Sequence, residues 1–198
     1  MVFKFSFILK MKYKILNKNK GITLIEIIVI ISIISILSAV IVADFPSIRL
    51  QLNLSRAVHI ISQDLKTAQS QSSSGSFETL SNGEIIYPKG YGVYFDSAVL
   101  GNKKYIIYAD IDGDRQYNVN EDFVSKEIDL SLPEPGIIIK EIHNGTSRLS
   151  INFAPPNFNT TITNLLQGTD TVEIVIAIES KPETTRTIYV NKSGLIWY

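Results

Sequence analysis

The sequence predicts an α+β protein, one long N-terminal helix leading into an antiparallel, strand-rich domain. Three observations carry that expectation. Ile22–Ala43 is an uninterrupted apolar block with one charge, Glu26. Leu50, Leu54, Val58, Ile61, Leu65 and Ala68 then recur at spacings of three and four, a helical stripe. After Ser76 the pattern changes to short β-branched and aromatic runs broken by Gly, Pro, Asn and Asp.

The 198 residues suffice for one ordinary domain plus an appendage. Charged residues make up 19 %, below the usual ~25 %, as expected of a chain with a membrane segment. Lys plus Arg balances Asp plus Glu at 19 each, but unevenly. Residues 1–20 hold six lysines and no acid, so the rest carries 13 basic against 19 acidic side chains. That acidic balance gives no general attraction for phosphate, so a nucleic-acid partner is not expected. There is no cysteine, which excludes disulfides, thiol catalysis and cysteine-ligated metals. Two histidines, His59 and His143, leave little for a histidine-rich metal site.

Taking the elements in order, residues 1–21 read as a basic leader and 22–45 as a transmembrane helix. Ile22–Ala43 is 22 residues long. At ~1.5 Å per residue it spans roughly 33 Å, enough for a ~30 Å hydrocarbon core. The lysines before it place the N-terminus in the cytoplasm and the C-terminal part outside, a single pass through the cytoplasmic (inner) membrane. The block is too long for an ordinary secretory signal. A plain signal anchor accounts for its length but not for Glu26, since a carboxylate in a membrane helix costs about 2.5–3.5 kcal/mol at the centre.

Lys20-Gly21-Ile22-Thr23-Leu24-Ile25-Glu26, with the apolar run behind it, resembles the class III signal of type IV prepilins and pseudopilins. That resemblance implies a pilin-like fold and cleavage between Gly21 and Ile22 by a membrane prepilin peptidase, which also methylates the new terminus at Ile22. It implies that Glu26 is the assembly carboxylate, pairing with the terminal amine of a neighbouring pilin or pseudopilin subunit. Ile22 departs from the phenylalanine usual at that position. The residues themselves fit this chemistry. Glycine permits a close, extended approach to a protease cleft, and a free amine at a membrane edge needs a carboxylate. Glu26 snorkelling to the headgroups is the plainer reading. Counted from Met11, the leader is the compact MKYKILNKNKG, so MVFKFSFILK is expected to be a start-site artefact.

Residues 46–75 read as the amphipathic continuation of the helix, kinked at Pro46. Gln51, Asn53, Arg56, Gln63, Asp64 and Lys66 lie largely off the apolar stripe. His59 sits beside it as a packing residue. Ser70–Ser76 reads as a flexible exit from the helix.

Residues 76–198 read as the β-rich domain. Its expected strands are 84–87, 92–95, 104–109, 123–130, 137–142, 149–153, 172–179, 185–191 and 195–198. Val172, Ile174, Ile176 and Ile178 share one parity, Ile188 and Val190 another. Asn191-Lys192-Ser193-Gly194 reads as the turn before the last strand. The order of the strands, with Arg186-Thr187-Ile188-Tyr189-Val190 and a closing glycine turn, resembles the GspH/FimT group of minor pilins and pseudopilins. That likeness implies a low-copy subunit near a filament tip, serving a type II secretion pseudopilus or a type IV pilus.

Asp110, Asp112, Asp114, Asn118 and Glu121 fall at positions 1, 3, 5, 9 and 12 of an EF-hand-like loop. Arg115 stands where position 6 is usually glycine, and the flanks are strands. One reading is a calcium-stabilised loop, the other a solvated turn. No phosphate loop, HExxH or serine elbow is present, so an enzyme is not expected. The class that competes with a filament subunit is a signal-anchored protein with an external binding domain.

Overall fold

The computed structural model describes residues 21–80, 82–142, 146–155, 159–165 and 168–198. The leader expected over 1–20 and His143 lie outside the described residues. One helix, α1, runs from Leu24 to Ser74, with Pro46 inside it. The proline ring removes one backbone donor, yet no loop interrupts the helix there. The chain divides at Asp44/Phe45 into two compact units.

In the first unit the described residues are Gly21–Asp44, helical from Leu24 onward. Its apolar side chains stand exposed from Ile22 to Val42. This part of α1 is long and apolar enough to cross a membrane. Ser32 and Ser35 donate their hydroxyls to the carbonyls of Ile28 and Ile31, at 2.7 and 2.8 Å. Neither hydroxyl would therefore enter hydrocarbon unpaired.

The second unit is built on the rest of α1. Leu54, Val58, Ile61, Leu65 and Ala68 of the predicted stripe are all buried, joined by Ala57, and Leu50 packs at the margin. Serines 70–74 are helical, not a flexible exit. Ser73 and Ser74 turn back onto the carbonyls of Gln69 and Gln71, and Ser72 donates to the Phe153 carbonyl at 2.6 Å. The helix stops at Gly75, whose φ of 62° suits glycine at a helix C-terminus.

Eleven strands follow among the described residues, all paired antiparallel. They are β1 (Glu78–Thr79), β2 (Ile85–Ile86), β3 (Gly90–Asp96), β4 (Lys104–Asp110), β5 (Phe123–Asp129) and β6 (Ile137–Ile142). Then come β7 (Arg148–Ala154), β8 (Asn159–Ile162), β9 (Thr171–Ile178), β10 (Lys181–Asn191) and β11 (Ile196–Trp197). β1 and β2 form a small ribbon. A five-stranded sheet has the order β5-β4-β3-β7-β8, and a four-stranded sheet β11-β10-β9-β6.

The nine predicted strands are present, β6 with the predicted ends and the others with shifted ones. β1 and β8 escape sequence reading because Glu-Thr and Asn-Thr-Thr-Ile carry no alternating apolar signal. β10 starts at Lys181, four residues before the predicted Thr185, with a register shift between Lys181 and Thr185 that accommodates Pro182.

One apolar core joins α1 to both large sheets. Tyr91, Val93 and Phe95 of β3 enter it, with Leu149, Ile151 and Phe153 of β7. From the other sheet come Val172, Ile174, Ile176 and Ile178 of β9 and Ile188 and Val190 of β10, the predicted parities. Full burial of each such side chain is worth about 1.5–3 kcal/mol.

Candidate functional site

Two places carry candidate chemistry, one in each unit. At the start of α1, Gly21, Ile22 and Thr23 precede the helix and are exposed. The Glu26 amide donates to the Thr23 hydroxyl at 3.3 Å and to its carbonyl at 3.1 Å. Thr23 is thus the N-cap and Glu26 stands three residues on, the sequence of a capping box. That signal, Thr-x-x-Glu before an apolar run, was legible in the sequence and complements the reading of Glu26 as an assembly group. A carboxylate in the first turn also meets the positive end of the helix dipole.

The second place is the loop between β4 and β5. It folds beside the face of the five-stranded sheet that points away from the core. Tyr108 lies across Gly92, its register partner on β3; a Cβ there would sit 2.5 Å from the ring. The Tyr108 hydroxyl shares a hydrogen bond with the Ser150 hydroxyl at 2.6 Å and accepts one from the Asn152 amide at 3.2 Å. Tyr117, from the loop, packs on Tyr94 and Tyr108 with ring centroids 4.8 and 5.3 Å apart.

This aromatic support holds Asp110 at the end of β4, fully buried. Its carboxylate accepts the amides of Gly113 at 2.6 Å and Arg115 at 3.1 Å, and the Asn152 side chain at 3.2 Å. Asp122 accepts the amides of Asn118 at 2.8 Å and Ile111 at 3.0 Å. Asp112 accepts the Asp114 amide at 3.0 Å. One oxygen each of Asp110, Asp112 and Asp122 lie within 4.8 Å of one another.

Of the five residues counted from sequence, the structure therefore brings Asp110 and Asp112 into this cluster. Asp114 instead accepts the Gln116 amide at 2.8 Å and the Asn118 side chain at 2.6 Å. Glu121 is not among the three converging carboxylates, and its neighbour Asp122 is. Counting loop positions selected Glu121; Asp122 gives itself away only by the β4–β5 pairing that turns it inward. Arg115 takes φ of 66°, so position 6 adopts the left-handed backbone without glycine.

The electrostatics follow from crowding. Burial pushes the Asp110 carboxyl above its ordinary range, amide donors oppose this, and the charge of Asp122 adds to it. Burial likewise raises Asp122, with Asp112 and Asp114 adding to the rise. Asp112 moves down, held by the Asp114 amide. A cation with a preference for oxygen ligands would relieve this repulsion, and Asp110, Asp112 and Asp122 are the residues placed to hold it.

The first unit presents an exposed apolar helix behind Gly21, and the second an α+β domain of a pilin-like kind. Residues 16–42 match the family model of the prokaryotic N-terminal methylation motif. No curated protein and no solved structure matches the chain. The motif match supports a type IV pilin-like precursor, a structural rather than enzymatic class, and implies processing by a prepilin peptidase. With the apolar helix it fits a protein anchored in the inner membrane.

Proposed function

We propose that the chain is a minor pilin- or pseudopilin-like subunit of the GspH/FimT kind, cleaved between Gly21 and Ile22 and methylated at Ile22. The observation that carries this reading is the methylation-motif match over residues 16–42, with Gly21 directly before an apolar helix. The domains are a leader (1–21), a membrane helix (22–45), its amphipathic continuation (46–75) and an external domain (76–198). The leader faces the cytoplasm. After cleavage the helix leaves the bilayer and packs among other pilin or pseudopilin subunits in a secretion pseudopilus or a type IV pilus.

Glu26 supplies the carboxylate that accepts a neighbour's terminal amine, so that no lone charge is packed in an apolar filament core. Its capping hydrogen bond uses the backbone amide and leaves the side chain free for that role. The test is Glu26→Gln in a host with the peptidase and an assembly machine. Cleavage is expected to persist while entry into sheared filaments is lost. Normal incorporation of the variant would refute the role of Glu26.

The β4–β5 loop is proposed to take calcium, through Asp110, Asp112 and Asp122. The converging carboxylate oxygens favour this over a solvated turn. Calcium would act as a structural clamp that fixes the loop on the sheet.

A further inference from the structure

One carboxylate in the second unit lacks the partner that burial requires. Glu134 lies in the turn between β5 and β6, 5 % exposed, and its Oε2 accepts no hydrogen bond. The turn is pinned to α1 by the Asn53 side chain, which donates to the Pro135 carbonyl at 3.1 Å, and closed on itself by the Glu134 amide, which donates to the Leu130 carbonyl at 3.0 Å. Glu134 lines a groove of about 380 Å³ on the outward face of α1, together with Leu52, Ser55, Arg56, His59 and Ile60. A buried carboxylate without a donor is expensive. Burial raises its pKa; the charge of Arg56 opposes that rise, yet Arg56 makes no ion pair with it among the described residues. His59 is engaged with the Tyr198 hydroxyl at 3.3 Å.

The same helix face carries a complementary group one heptad earlier. Phe45, Ile48 and Leu52 are about half exposed, and Arg49 stands among them. The Arg49 guanidinium lies 5.8 Å from the Phe45 ring centre and forms no ion pair among the described residues. Two copies packed in one filament lie parallel. Displacing one by seven residues, ~10.5 Å at ~1.5 Å per residue, sets Phe45 against Leu52 and Arg49 at the level of Arg56 and Glu134.

We infer that Glu134 is an intersubunit acceptor: Arg49 of a second copy enters the groove and pairs with it, while Phe45 covers Leu52. This rests on the filament-subunit reading and names the contact that reading leaves open. The buried Glu134 gains its missing donors, and the exposed apolar stripe of α1 is covered in the same step. The register is fixed by charge, because only near this displacement does Arg49 come level with Glu134.

The chain has no cysteine, so the contact can be tested by cross-linking in sheared filaments from a host that supplies the prepilin peptidase and an assembly machine. Full-length Arg49→Cys and Glu134→Cys chains are expressed separately and together, then oxidised. A dimer band is expected on co-expression, and none from either chain alone or from Arg49→Cys with Lys192→Cys. A second arm keeps Glu134 native. In Arg49→Lys, a carbodiimide is expected to join position 49 of one copy to Glu134 of another, found by mass spectrometry in the dimer band. A processed chain that gives neither product, or equal yield with the Lys192→Cys control, overturns the inference and leaves the filament reading standing. A chain never processed at Gly21 overturns both.

Discussion

Asp110 and Asp122 are the residues whose protonation should be visible in the stability of the domain. Both carboxyls are raised in the folded state, so the folded chain holds protons that the unfolded chain has released. Their contribution is present below the unfolded value of about 4 and is lost as pH rises through the raised folded values. Asp96 runs the other way. Its carboxyl is held low by the Tyr94 hydroxyl, the amides of Val99 and Ala98, and Arg148, which together outweigh its burial. Its contribution is lost as pH falls through that lowered value. In chelator, denaturant titrations of wild type and Asp122→Asn should therefore diverge, wild type losing stability relative to the variant as pH rises above about 4. Parallel curves would contradict the crowding described for the loop. At neutral pH, calcium at a hundredfold excess over its dissociation constant should stabilise wild type by about 2.7 kcal/mol. Asp112→Asn should lose most of that gain, as read by thermal melting; no calcium response in wild type would remove the cation from the account.

At the scale of elements, β3 and β4 depend on a gap that glycine provides. Gly92→Ala would drive a methyl into the Tyr108 ring, 2.5 Å away, and displace the ring on which Tyr117 rests. A loss of about 1–3 kcal/mol is expected, with the loop loosened before the core; hydrogen exchange of residues 111–122 reports the first and denaturant melting the second. Ile174→Ala in β9, fully buried, should cost about 2–5 kcal/mol without touching the loop. These elements were unevenly legible in the sequence. The helical stripe and the β9 parity announced themselves because burial on one face forces a period, and the core uses those residues. β1, β8 and the helical serines were hidden. Their backbones are satisfied by partners distant in sequence, such as the Phe153 carbonyl for Ser72, and no local pattern encodes that. In the acidic loop the liganding chemistry was legible and its membership was not, since Asp122 enters through strand pairing rather than loop spacing. The structural half of this site, the Thr23 N-cap that accepts the Glu26 amide, was in plain sight as Thr-x-x-Glu.

At the scale of the molecule, the division at Asp44/Phe45 has a direct consequence. The apolar core lies wholly within Phe45–Tyr198, so a fragment of those residues should fold with a cooperative thermal transition and remain in the aqueous phase. A fragment that lacks near-ultraviolet dichroism would show that the first unit is needed for folding. The first unit has the opposite character, with its apolar side chains outward. In the proposal it serves first as an anchor and then as filament core, and the change between those states begins with one cleavage.

That cleavage is the central claim, and intact mass tests it most directly. The full chain is produced with and without a prepilin peptidase, beside Gly21→Ala. The account predicts a product that begins at Ile22, heavier by one methyl group, only when both the peptidase and Gly21 are present. A chain of unchanged mass in every sample would contradict it and leave a membrane-anchored protein with an external β-rich domain.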